Sequence, residues 1–221
     1  MLRGLFSMGP WLLLFIPLRL LALVVHEYSH GLVSSKLGDP TPRIRGRLTF
    51  NPLAHLDPMG TILMLLTGFG WARPVEVNPM YYKDRKKGMA LVALAGPLSN
   101  LILAFLSVLL NGIFVVISYK LNAPAWVYGF LNSFFDYSAQ INLCFMVFNL
   151  IPIPPLDGSK ILGMFLPDRN YYSMLQYERY SMIIIMVLSL SGVLSSIIGK
   201  GIMFFYAPMI SFVNMIVNVL I

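Results

Sequence analysis

Between Leu12 and Val33 the chain reads LLLFIPLRLLALVVHEYSHGLV, and the pattern H-E-x-x-H lies near the end of that apolar run. A run of this length reads as a membrane-spanning helix. On a helix, His26 and His30 leave one face about 6 Å apart along the axis. That spacing suits two ligands of one zinc ion, with Glu27 placed to take a proton from a water on the metal. The pattern has few defined letters, and two scattered histidines with a helix-end glutamate would match it as well. The setting separates the two. An ionised glutamate in so apolar a run is costly and is rarely retained without a partner or a task. The chain has 3 His, and two of them stand here.

Composition supports the membrane reading. Of the 221 residues 57% are hydrophobic and 11% charged, against about 25% charged in soluble domains. One Cys excludes a disulfide framework and a Cys-rich metal site. The net charge of +7 comes from basic residues in short loops between apolar runs. That is the positive-inside pattern rather than a nucleic-acid face. The N-terminal apolar run continues into the histidine motif without a suitable cleavage site, so it reads as a retained span.

Taken in order, the first span covers Trp11 to Ser35, with Pro17 bending it or marking its start and Arg19 snorkelling or facing protein. Residues Thr41 to Phe50 alternate partly and predict a short β-strand or hairpin at the interface. Asn51 to Gly60 is a loop bracketed by prolines, holding His55 and Asp57. It is either a surface loop with incidental polar residues or a polar insert near the metal. In the second case Asp57 could orient a histidine and His55 could bond substrate or water. Thr61 to Trp71 is too short to cross and predicts a re-entrant element. Arg43, Arg45 and Arg47 before it, and Arg73 to Lys87 after it, then share the cytoplasmic side.

Met89 to Ser118 is the second full span, with Gly96, Pro97, Ser99 and Asn100 early in it. Small residues permit close helix approach, and Asn100 wants a hydrogen-bond partner, which makes it interhelical glue. Tyr119 to Phe134 is expected as an outer loop, and Phe135 to Phe148 as a returning helix. That helix runs into Asn149-Leu-Ile-Pro-Ile-Pro-Pro-Leu-Asp157-Gly158, where Pro154 and Pro155 cannot continue it. Such a break inside a membrane needs a buried setting or a cavity. Asp157 after it is either the third zinc ligand or the N-cap of a helix from Ser159 to Phe165. Leu166 to Gln176 reads as a loop. Tyr180 to Ile198 and Ile202 to Ile221 are expected as two accessory spans joined by a tight turn at Gly199-Lys200-Gly201. The fold class is therefore all-α: a polytopic multi-span helical bundle with a short interfacial β or re-entrant element and a proline-broken helix. One domain covers 1–221, its catalytic core about 11–165 and its accessory spans about 180–221.

The motifs HEYSHG (His26 to Gly31), NPLAHLDPMG (Asn51 to Gly60), AGPLSN (Ala95 to Asn100) and FNLIPIPPLDG (Phe148 to Gly158), in this order, resemble the site-2 protease family of intramembrane zinc metalloproteases. The likeness is to its small single-domain prokaryotic branch without a PDZ module. It implies that His26, His30 and Asp157 hold one zinc ion and that Glu27 is the catalytic base. It implies that Asn149 binds substrate backbone or the tetrahedral intermediate, and that His55 belongs to a recurring NPxxHxDP motif.

The function expected is hydrolysis of peptide bonds within or near transmembrane segments, with Asn100, Asp57, Pro154 and Pro155 as accessory residues. The proline-broken segment could offer strand-like backbone to an unwound substrate. The expected partners are a transmembrane protein or peptide substrate and the lipid bilayer, with no nucleic acid. The expected location is the cell membrane, multi-pass, with the site toward the cytoplasmic side. Two other classes fit the same residues: a divalent-metal transporter, and a catalytically silent binding protein of the same fold. One cluster without a second acidic relay weighs against the first, and the intact quartet His26, Glu27, His30 and Asp157 against the second.

Overall fold

The computed structural model describes residues 11–60, 73–176 and 178–221; for 11–15, 168, 172, 175 and 182 it describes the backbone alone. The expected re-entrant element at Thr61 to Trp71 lies outside the described residues. Helix α1 spans Trp11–Lys36 with Pro17 inside it, so the proline does not mark its start. Arg19 faces protein: its Nε donates to the Tyr137 hydroxyl.

The expected strand at Thr41 to Phe50 is absent. A short helix α2, Thr41–Ile44, stands there, and no strand occurs among the described residues. Prolines explain the difference. Pro40 and Pro42 open the segment with φ values suited to a helical turn, and Asp39 accepts the Thr41 N–H through Oδ1 at 2.9 Å. Gly46, at φ +65°, then reverses the chain. An alternating pattern cannot override a start with so few free donors.

Helix α3, Arg85–Lys120, opens on Asp84, whose side chain accepts the Lys87 N–H at 3.1 Å. Its composition is inverted relative to a soluble helix. Gly88, Ala93, Gly96, Asn100, Ala104, Ser107 and Gly112 are buried, while Leu91, Leu94, Leu98, Ile102, Leu106, Leu110, Ile113 and Ile117 are exposed at helical spacing. Small and polar residues inward with large apolar residues outward is the arrangement of a helix that meets lipid.

Helix α4 spans Ala125–Asn149. The outer loop expected over Tyr119 to Phe134 is therefore corrected to a four-residue connection, 121–124, with Asn122 at φ 49°. Its aromatic residues belong to α4's first turns, apart from Tyr119 at the end of α3. Aromatic content marks an interface but does not stop a helix, and Pro124 sits just before the first helical residue, where its missing donor costs nothing. After Asn149 the chain folds through Ile151 to Leu156, with a cis bond at Pro154–Pro155, into α5, Asp157–Gly163. Helix α5 thus begins two residues earlier than expected, with Leu156 at the N-cap position. An added Cβ at Gly158 would collide with the backbone of Leu150 and Ile151, so a side chain there is excluded.

The loop expected at Leu166 to Gln176 contains helix α6, Asp168–Gln176. The two accessory spans are also redrawn. Helix α7 covers Glu178–Leu190 and α8 covers Val193–Leu220, running unbroken through Gly199-Lys200-Gly201. The turn lies at Gly192, with φ +76°. Gly201 serves packing instead, since a Cβ there would stand 2.6 Å from the Val147 side chain. The 13 residues of α7 reach about 20 Å, short of a hydrocarbon core of about 30 Å. Among the described residues, α3 and α8 are long and apolar enough to cross a membrane.

Helix α1 packs on α3 and α4, α5 on α3, and α8 on both α3 and α4. Ala104, Leu143, Met146 and Val147 form one core cluster against α8. Val108, Ala139, Val213 and Val217 form the next. The close approach of α1 and α3 puts the histidine motif against Gly96.

Candidate metal centre

His26 and His30 leave the same face of α1 with ring centroids 4.6 Å apart and planes at 87°. Both are buried, as is Asp157 in the first turn of α5. A side chain at Gly96 would forbid this arrangement: its Cβ would lie 2.5 Å from His30 Nε2 and 2.6 Å from His26 Nε2. The space between α1 and α3 exists because residue 96 has no side chain.

Hydrogen bonds settle which imidazole nitrogen faces inward. The His30 Nδ1–H donates to the Val92 carbonyl at 2.7 Å, and a carbonyl can only accept. His26 Nδ1 stands 2.7 Å from Asn100 Oδ1, and the Asn100 amide is oriented by its Nδ2, which donates to the Ala22 carbonyl at 3.1 Å. In the neutral form of each ring these bonds put the proton on Nδ1 and the lone pair on Nε2. The two Nε2 atoms converge on Asp157 Oδ2, at 3.2 Å from His26 and 3.1 Å from His30. Three electron-rich atoms lie within 4.8 Å of one another, a grouping that suits the ligands of one cation. Two imidazole nitrogens and one carboxylate oxygen are the donor set of catalytic zinc sites with an open fourth position. The other oxygen of Asp157 lies 3.4 Å from Lys160 Nζ.

Glu27 points into the same cavity, of about 410 Å³, which Asn149, Pro154 and Pro155 also line. Its Oε2 accepts the backbone N–H of Val75 at 2.9 Å. Pro74, Val75 and Val77 form one wall of the cavity. Asn149 donates one amide hydrogen to the Phe145 carbonyl at 3.0 Å, which fixes the side chain against its own helix. Met89, Val92, Ala93 and Leu156 add apolar lining beside these polar groups, and Ser159, Lys160 and Glu178 complete the rim.

The remaining expected residues stand elsewhere. Asn100 lies behind His26 rather than in the cavity and is a partner of the imidazole, more than glue between helices. His55 is fully buried and is not in the cavity wall; its Nε2 lies 2.9 Å from the Thr49 carbonyl, to which it donates. Asp57 Oδ1 accepts the Gly60 N–H at 2.8 Å. Their loop still bears on the site at one remove, because the His55 carbonyl accepts the Arg73 N–H at 2.9 Å at the start of the segment that reaches Glu27. The Val75 N–H and the Val92 carbonyl escaped sequence reasoning. Both act through backbone atoms, which no residue type announces. Gly96 was visible as a small residue, but not as the one facing the imidazoles.

At the far end of that segment the Asn78 N–H donates to Asp39 Oδ2 at 2.7 Å, and the Ser34 hydroxyl donates to the same oxygen at 2.7 Å. Burial pushes the Asp39 carboxyl up, and hydrogen bonds from Thr41, Asn78 and Ser34 outweigh it, leaving the group below its ordinary value.

The profile of Peptidase family M50 matches residues 14–195. The candidate zinc metalloprotease YwhC of Bacillus subtilis is 41% identical over 185 residues, covering 82% of this chain and 81% of that one. The candidate zinc metalloprotease Rip2 of Mycolicibacterium smegmatis is 29% identical over 182 residues, covering 80% of this chain and 66% of that one. No solved structure matches the chain. The matched region runs through every element that supplies the histidine–aspartate cluster, from α1 to α5, and the chain belongs to Peptidase family M50, the site-2 protease family of zinc metalloproteases.

Proposed function

We propose that the protein is an intramembrane peptidase, hydrolysing peptide bonds within or near the transmembrane segments of membrane proteins. The observation that carries this is the meeting of His26, His30 and Asp157 beside Glu27, in a cavity between helices whose outer faces are apolar. The whole chain, 1–221, acts as one multi-pass domain of the cell membrane. Helices α1 and α4 cross the bilayer together with α3 and α8. Arginines and lysines on the loops beside the histidine motif favour a site toward the cytoplasmic face.

His26, His30 and Asp157 would hold one zinc ion. When bound, zinc supplies a Lewis acid that polarises the scissile carbonyl and makes a water nucleophilic near neutral pH. The rest falls to this chain's own groups. Glu27 is held through Oε2, leaving Oε1 to take a proton from the attacking water and pass it to the leaving amine. The second amide hydrogen of Asn149 is free to donate to the substrate carbonyl as its oxygen gains charge. Pro154 and Pro155 line the cavity and have no N–H to bond within the chain, so this segment could offer its carbonyls to an unwound substrate strand. A substrate helix must unwind before it can pair there. Among the described residues a single group of His, Cys, Asp or Glu side chains could hold a metal, which favours catalysis over metal transport.

The test is cleavage of a transmembrane reporter by the protein reconstituted in liposomes. Glu27→Gln is expected to keep zinc and lose about a hundredfold or more of the rate. Undiminished cleavage by that variant would sink the proposal.

A further inference from the structure

Behind His26 lies a row of buried side chains that the hydrolytic mechanism does not use. Asn100 on α3 is fully buried and Asn142 on α4 is 3% exposed. Asn100 Nδ2 donates to Asn142 Oδ1 at 2.9 Å as well as to the Ala22 carbonyl at 3.1 Å. Asn142 Nδ2 donates to the Ser138 carbonyl at 2.8 Å.

The direction of each amide follows from groups that cannot reverse. The Ser138 carbonyl only accepts, so the Asn142 atom facing it is the nitrogen, and its oxygen faces Asn100. The Ala22 carbonyl only accepts, so the Asn100 nitrogen faces Ala22 and Asn142, and its oxygen faces His26. Both hydrogens of the Asn100 amide are then committed. An Asn100 amide flipped by half a turn would aim its nitrogen at His26 Nδ1 and its oxygen at two acceptors. With the observed orientation His26 must carry its proton on Nδ1, and Nε2 is left as the ligand atom.

We propose that Asn142 is a positioning residue of the metal centre: through Asn100 it holds His26 in the tautomer and ring orientation that bind zinc. The inference rests on the assignment of His26 as a zinc ligand made above. Partners of this kind raise metal affinity about ten- to a hundredfold, although Asn142 touches neither the ion nor the cavity. The relay starts on α4, so the helix that leads into Asn149 also sets the ligand on α1. Two asparagines that look like ordinary glue between apolar helices thereby acquire a direction. Glue alone would be indifferent to which end of each amide faces which neighbour.

The experiment measures zinc retention by the purified full-length protein against a competing chelator, with folding followed by circular dichroism. Asn142→Leu removes the acceptor for Asn100 at similar volume and is expected to weaken zinc binding about tenfold or more. Asn142→Asp, neutral in this buried setting, can donate its O–H to Ser138 and accept from Asn100, and is expected to stay near wild type. Ser107→Ala is the structural control. It removes a buried α3–α4 hydrogen bond to the Ser138 hydroxyl, 2.9 Å long, without reaching Asn100, and should leave zinc retention unchanged. In an Asn100→Leu background, Asn142→Leu is expected to add nothing, because the relay is already broken.

Wild-type zinc retention in Asn142→Leu, or equal loss in Ser107→Ala, overturns the proposal while leaving the metal centre standing. If Asn142→Leu does not fold, an Asn142→Asp protein that folds but loses zinc overturns it instead. A wild-type protein that holds no zinc overturns the metal centre and the relay together.

Discussion

The backbone N–H of Val75 donates to Oε2 of Glu27 at 2.9 Å, across 48 positions of sequence. One carboxylate oxygen of the candidate base is thus fixed by the cavity wall and the other is left for chemistry. The wall is itself tied down beyond Val75, at Asn78, by Asp39. Orientation of the base is therefore a property of the 74–78 segment as much as of α1.

Val75→Pro removes that donor and leaves Glu27 in place. Hydrogen bonds to charged groups contribute about 1.5–3 kcal/mol, so cleavage of a transmembrane reporter is expected to fall about tenfold or more. Zinc content should not change. An unaltered turnover rate would show that Glu27 needs no help from the wall.

Gly96→Ala places a methyl group 2.5 Å from His30 Nε2. Neither imidazole can yield without losing its Nδ1 hydrogen bond, so the pair must spread. Zinc measured by mass spectrometry should drop below one ion per chain, with the helical content kept. Full zinc occupancy in this variant would show that α1 and α3 can separate at little cost.

Asp39 supplies a pH dependence outside the membrane-spanning helices. Its folded carboxyl lies below the ordinary value, while in the unfolded chain it titrates near 3.9. The stabilisation is complete above that unfolded value and is lost as pH falls through the lower, folded one. Asp39→Asn is expected to cost about 1–3 kcal/mol at neutral pH and to flatten the acid limb of stability. Unfolding midpoints in detergent between about pH 2 and 6 check this; parallel curves for the two proteins would refute it.

The glycines of α8 separate a turn from a helix. Nothing lies within 4 Å of a Cβ built at Gly199, whereas one at Gly201 meets Val147 at 2.6 Å. Gly199→Ala should stabilise by about 0.5–1 kcal/mol through helix propensity, and Gly201→Ala should destabilise. A loss of stability in both would restore the tight turn that the residue types suggest.

The histidine motif, the proline-broken approach to Asp157 and the long apolar helices were all legible in the residues, because each rests on a local rule: helical spacing, a missing donor, or hydropathy. The errors fell where one local signal had two physical outcomes. Gly199-Lys200-Gly201 has the composition of a turn, but in an apolar helix glycine also lets a neighbour approach, and Val147 takes that space. Arginine alternation over 41–50 resembles a strand, yet Pro40 and Pro42 had already set a helical turn.

By itself the sequence determined that two imidazoles share one helix face, since helical pitch dictates it, and it left Asp157 after the helix break as either a ligand or an N-cap. It could not determine that Asp157 Oδ2 lies 3.1 Å from His30 Nε2, that Val75 holds Glu27, or that Asn100 presents its oxygen to His26. Those depend on how α1, α3, α4 and α5 pack. The energy of packing is shared among contacts remote in sequence, so no single stretch of the chain carries it.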